Sequence, residues 1–117
     1  MESTENYLET ILILGKDGSP VRSIDIARAL NFAKPSVSVA MKNLRENGYI
    51  TVADGMIALT PSGQKIAETM YERHVVISDW LIRLGVDQNT AHTDACKMEH
   101  AMSEQSFEAI KNFLQTP

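Results

Sequence analysis

Residues 23–60, SIDIARALNFAKPSVSVAMKNLRENGYITVADGMIALT, decide the fold. Ser23 is a good N-cap for a short helix over residues 24–30, with Ile26, Ala27 and Leu30 facing inward. About four residues later, Pro35 suits the first turn of a second helix, residues 34–47, lined on its inner face by Val37, Ala40, Met41 and Leu44 and ended by Gly48. Two short helices so closely joined predict a helix-turn-helix. Tyr49-Ile50-Thr51-Val52 is rich in strand formers, Asp54-Gly55 is a hairpin turn, and Met56 to Thr60 reads as the return strand, so a two-stranded wing follows.

Outward from this stretch the pattern stays helical. Tyr7, Leu8, Ile11, Leu12 and Leu14 follow a helical period over residues 4–14, stopped by Gly15. Thr60-Pro61 marks the start of a long helix whose apolar positions run through Ile66, Met70, Val75, Val76, Leu81 and Leu84 to Gly85. Asp87 caps a helix over residues 88–101, and Ser103 caps a last one carrying Phe107, Ile110, Phe113 and Leu114. The expected fold is mainly α: a winged helix-turn-helix over residues 1–72, then an α-helical module over residues 73–117. Trp80, Leu81, Leu84, Phe107, Ile110 and Phe113 offer more apolar surface than so short a module can bury alone, which predicts a two-fold dimer through the C-terminal helices.

With 117 residues, 44% hydrophobic and 22% charged, the chain is too short for a multidomain enzyme and too apolar for a disordered one. No apolar run approaches a membrane span, and the acidic start Glu2-Ser3-Thr4-Glu5 is unlike a signal peptide, so a cytoplasmic protein is expected. The single cysteine, Cys96, excludes an internal disulfide. Six methionines raise a soft copper site, but Met41, Met56 and Met70 fall at expected core positions.

A net charge of -4 argues against a generic nucleic-acid binder, yet residues 21–48 carry Arg22, Arg28, Lys34, Lys42 and Arg45 against only Asp25 and Glu46. The second helix of such a motif enters the major groove. Arg28, Lys34, Ser36, Ser38, Lys42 and Arg45 supply cations and hydroxyls for phosphates, while Ala33, Pro35 and Val39 are the apolar residues nearest base edges. Further along, His92, Cys96, Glu99 and His100 share one helix face, a set of donors for a divalent transition metal, and His74 and the acidic pair Glu5 and Glu9 could join them. A zinc finger is excluded by the single thiol, and no His-Glu-x-x-His, phosphate loop or nucleophile elbow is present, so no catalytic residue is assigned.

Glu5-Asn6-Tyr7-Leu8-Glu9, Leu59-Thr60-Pro61-Ser62-Gly63, Arg73-His74 and, most specifically, Cys96-Lys97-Met98-Glu99-His100-Ala101-Met102-Ser103 together resemble the diphtheria-toxin-repressor and manganese-transport-regulator family over essentially the whole chain. The resemblance implies a homodimeric repressor of metal-uptake genes, with a winged helix-turn-helix DNA-binding domain over residues 1–72 and an α-helical metal-binding and dimerisation domain over residues 73–117, that binds a double-stranded DNA operator when Fe(II) or Mn(II) is bound; Zn(II) or Co(II) is expected to bind in vitro by the affinity order of divalent ions. It implies Cys96, Glu99 and His100 as primary ligands, as in the iron branch, and His74 and His92 as ligands of a second site. Asn6 replaces the methionine or aspartate of the two branches, Ser78 replaces a second-site glutamate, and Glu9 matches a carboxylate of the manganese branch, so the set is a hybrid. The alternative is a metal-independent winged-helix module; a small metalloenzyme is disfavoured because no base stands beside a substrate cleft.

Overall fold

A computed structural model describes residues 2–116. The elements in order are α1 (Glu2–Leu14), α2 (Ser23–Leu30), α3 (Lys34–Glu46), β1 (Ile50–Ala53), β2 (Met56–Leu59), α4 (Pro61–Arg83), α5 (Gln88–Ala101) and α6 (Glu104–Gln115). The chain divides into two units, one reaching Glu68 and one starting at Thr69, with the boundary inside α4.

In the first unit Leu8 and Ile11 of α1, Ile26 and Ala27 of α2, and Val37, Met41 and Leu44 of α3 share a core with Ile50, Ile57 and Ala67. Steps of four and three residues along α3 keep Val37, Met41 and Leu44 on one stripe, which leaves the opposite face to solvent. The turn between α2 and α3 is closed by Asn31 in the left-handed region, φ 56°, a conformation asparagine tolerates better than most residues. The Phe32 N–H then donates to the Ala27 carbonyl at 3.0 Å. Ser23 is not the N-cap expected from the sequence: α2 begins at Ser23, Arg22 is the capping position, and the Asp25 carboxylate accepts from the Arg22 N–H at 2.9 Å. The Asp25 carboxylate supplies the reciprocal half of a capping box, accepting from the N-cap N–H, where the serine hydroxyl was expected to accept from a first-turn N–H.

β1 and β2 pair antiparallel, with Ile50 opposite Leu59 and Ala53 opposite Met56. Asp54 (φ 53°) and Gly55 (φ 76°) are both left-handed, as the favoured two-residue hairpin turn requires. Ile57 is buried and its N–H donates to the Val21 carbonyl at 2.7 Å. Successive strand residues point to opposite faces, so Met56, expected in the core, is 42% exposed instead. At the start of α4 the Thr60 hydroxyl donates to the Gly48 carbonyl at 2.6 Å and accepts from the Gly63 N–H at 3.2 Å, which caps α4 and ties it to the end of α3.

In the second unit α4 buries Met70, Arg73, Ile77 and Ser78. The buried stripe steps from Met70 through Arg73 to Ile77, three then four residues, and therefore leaves Val75, counted in the apolar period of the helix, 46% exposed; Leu84, named for a dimer surface, is 65% exposed. Asp87 caps α5 by accepting from the Thr90 N–H, and Ser103 caps α6 by accepting from the Ser106 N–H, both at 3.1 Å. Phe107, expected at a dimer surface, is buried under the Arg73 guanidinium, which stands 5.3 Å from its ring centroid. Lys111 on α6 donates to Glu72 on α4 at 3.1 Å, and this hydrogen bond raises the lysine pKa above its ordinary value. No helix among the described residues is long and apolar enough to cross a membrane.

Candidate metal centre and DNA-binding face

The outward face of α3 is built by subtraction, since the core takes every third or fourth residue. Ala33, Lys34, Pro35, Ser36, Ser38, Val39, Lys42 and Arg45 are all exposed, as is Arg28 on α2. The N-cap of α3 is Ala33, which has no side-chain acceptor. The first-turn N–H groups of Lys34 and Ser36 therefore keep their hydrogen-bonding capacity for an outside acceptor such as a phosphate oxygen. Val39 is 61% exposed, an apolar surface with no role in the core. Behind this face Arg22 donates to the Asp54 carbonyl at 2.8 Å and holds the turn of the wing.

The second unit collects the nitrogen and sulfur donors. Ala91, Ala95 and Glu99 follow one another at four-residue steps on the buried face of α5, and all three have no exposure. The two alanines leave room for the carboxylate that follows them. Neither Glu99 oxygen has a hydrogen-bond partner among the described residues. What faces them is imidazole: His74 Nδ1 lies 3.3 Å from Glu99 Oε2, and His100 Nε2 lies 3.4 Å from Glu99 Oε1. Cys96, Glu99 and His100 each offer a ligand atom within 4.8 Å of the others. Cys96 is exposed, and His100 keeps only 3% of its side chain accessible. His92 approaches from the next turn of α5, with its Nδ1 3.1 Å from His74 Nε2.

The distances from Glu99 to His74 and His100 fit a transition metal. Ligand atoms held at about 2.1 Å from a common ion stand roughly 3.0–3.4 Å apart at octahedral or tetrahedral angles. A buried carboxylate with neither hydrogen bonds nor a cation costs several kcal/mol, so such a group implies a positive charge that binds there. Of the residues expected to ligate, this unit brings together His74, His92, Cys96, Glu99 and His100. Asn6 and Glu9 lie on α1 in the other unit, Asn6 half-buried and Glu9 buried. Ser78 is buried and turns its hydroxyl back to the Val75 carbonyl at 3.3 Å.

Sequence reasoning gave no role to Arg73. Its guanidinium is buried and donates to the Glu99 carbonyl at 3.0 Å and the Met102 carbonyl at 2.6 Å, where the end of α5 leaves acceptors unpaired. The signal was available: three residues after Met70 and four before Ile77, Arg73 sits on the buried stripe of α4 and must find its acceptors there.

Comparison with known proteins agrees with both halves. Residues 1–55 match the family described as iron dependent repressor, N-terminal DNA binding domain, and residues 60–117 match iron dependent repressor, metal binding and dimerisation domain. Over 97% of its length the chain is 33% identical to an HTH-type transcriptional regulator of Methanocaldococcus jannaschii, 94% of which it covers. The chain belongs to the iron-dependent repressor family. Within this family it is also 33% identical to the transcriptional regulator MntR of Salmonella typhimurium, over 97% of this chain and 73% of that one. To the diphtheria toxin repressor of Corynebacterium diphtheriae it is 33% identical over 90% of its length, but it spans only 47% of that protein. Among solved structures it superposes on a manganese-dependent transcriptional repressor in complex with manganese with a TM-score of 0.88 at 26% identity, covering 97% of this chain and 53% of that one. The manganese regulator SloR gives 0.86 at 27% identity, covering 97% and 54%. The chain thus spans about half the length of these two solved proteins. Family members are transcriptional regulators with a DNA-binding half followed by a metal-binding and dimerisation half, the order found here.

Proposed function

We propose that this chain is a metal-activated repressor: as a homodimer in the cytoplasm it binds a double-stranded operator through α3 when Fe(II) or Mn(II) is bound, and so controls metal-uptake genes. The observation that carries the reading is Glu99, a carboxylate buried without hydrogen bonds between two imidazole nitrogens. Glu99, His100, Cys96 and His74 would hold the ion, which supplies the positive charge this carboxylate lacks. Asn6 is assigned as a further ligand on the family resemblance, and Glu9 on that resemblance and on its being a buried carboxylate. The Cys96 thiolate favours a borderline ion and the carboxylate a harder one, a mixture that suits Fe(II); Zn(II) and Co(II) bind at least as tightly in vitro by the affinity order of divalent ions. A related regulator, ScaR, has been solved with bound Zn2+ and with bound Cd2+.

Lys42 and Arg45 contact phosphates, and Ala33, Pro35 and Val39 meet base edges. Two copies related by a two-fold axis present two α3 helices to successive major grooves. Coupling is a shift of population: the ion must favour the DNA-competent arrangement by several kcal/mol to switch it decisively. The chain acts by binding, with no catalytic residue. The test is duplex selection from a random-sequence pool in the presence of Mn(II) or Fe(II), followed by affinity measurement with metal and with chelator. Binding that is tight with metal and lost with chelator is expected; equal affinity in both would make the chain a metal-independent module.

A further inference from the structure

We infer that His92 is a positioning residue that selects Nδ1 of His74 as the metal-binding nitrogen, and is not itself a ligand of a second ion. The inference rests on the proposed metal site. His74 has donors or acceptors at both ring nitrogens: Nδ1 faces Glu99 Oε2 at 3.3 Å and Nε2 faces His92 Nδ1 at 3.1 Å. The two imidazole planes differ by only 17° and their centroids are 5.2 Å apart. The centroids are thus about 2.1 Å further apart than the facing nitrogens, roughly the sum of the two ring radii, so the rings meet edge to edge with the nitrogens aimed along one line. That is the geometry of an N–H···N hydrogen bond.

Two imidazoles that ligate one ion are arranged differently, because their lone pairs must converge on a point off the line between them. Here the lone pair of one nitrogen faces the hydrogen of the other, and no room is left for an ion between them. The residue that would add a carboxylate beside the pair in the iron branch is Ser78, whose hydroxyl is turned to the Val75 carbonyl. A histidine ligates through a nitrogen that carries no hydrogen, and its other N–H is donated to an outer acceptor that fixes tautomer and ring orientation. His92 Nδ1 is placed as that acceptor, which leaves His74 Nδ1 unprotonated on the Glu99 side.

The direct test is NMR of the full chain loaded with Cd(II), read through scalar couplings between the metal and ring nitrogens. Coupling to His74 Nδ1 and to His100, with none into the His92 ring, is expected. Coupling into the His92 ring, or to His74 through Nε2, would overturn the inference while leaving the metal site in place. Absence of coupling to His74 and His100 alike would overturn both. Variants give an independent readout, and His92 is exposed, so folding is not at risk. Asparagine places its amide oxygen where Nδ1 stands, so His92→Asn should keep Mn(II) affinity within about threefold, whereas His92→Leu should weaken it roughly 10- to 100-fold with unchanged stoichiometry. Equal losses in both variants, or the loss of one bound ion per chain, would contradict it.

Discussion

A single atom decides what is tolerated at Gly63. A Cβ built there would overlap the Tyr49 carbonyl oxygen, a backbone atom that cannot swing away, because it also accepts from the Thr60 N–H at 3.0 Å. Gly63→Ala should therefore destabilise the chain by about 1–3 kcal/mol, measured by urea unfolding, although alanine is the better helix former. In the proposed site the residue at 96 is the one expected to govern metal choice. Cys96→Asp replaces a soft donor by a hard one and should raise the ratio of Mn(II) to Fe(II) activation, read as operator affinity with each ion. An unchanged ratio would show that the thiol is not the selector. At this scale the sequence was legible for donors and poorly legible for their surroundings. Cys96, Glu99 and His100 announce themselves by type and spacing, whereas the burial of Arg73 and Ile77 depends on which stripe of a long helix is covered. Apolar residues occur on more than one face of α4, so composition alone could not choose between Ile77 and Val75.

Among the elements, α3 carries the most testable surface. Each of Lys42→Ala and Arg45→Ala should weaken binding to all duplexes alike and reduce the slope of log affinity against log salt by about 0.9 per lost phosphate contact. Val39→Ala should instead change which duplex is preferred, because its exposed side chain has no packing role. The starts of α3, α5 and α6 followed closely from Pro35, Asp87 and Ser103, since a cap or first-turn proline is a local signal. Ser23 misled for the same reason: a serine at a helix start reads as its cap, whereas Asp25, accepting from the Arg22 N–H, sets the capping position one residue earlier. The face of Met56 was misread because a four-residue strand offers too few positions to establish which parity points inward.

At the scale of the whole molecule, the second unit leaves Val75, Ile82, Leu84 and Phe113 exposed, with Phe113 at 79%. Family membership makes this half a dimerisation domain, and large apolar side chains in water are the expected trace of a missing partner. Leu84→Asp combined with Phe113→Asp should give a monomer by sedimentation at micromolar concentration, with the helical content of the parent; a dimer unaffected by both changes would place the interface elsewhere. Dimerisation and metal binding meet in one requirement, that occupancy of the ligand cluster governs the affinity of α3 for DNA. The most direct test is operator affinity of the parent and of Glu99→Gln, measured by fluorescence anisotropy across an Mn(II) titration. Glutamine keeps the shape and removes the charge, so the parent should gain affinity steeply with Mn(II) while Glu99→Gln stays folded and shows no metal response. If Glu99→Gln responded to Mn(II) as the parent does, the buried carboxylate would not be the metal ligand on which the account depends.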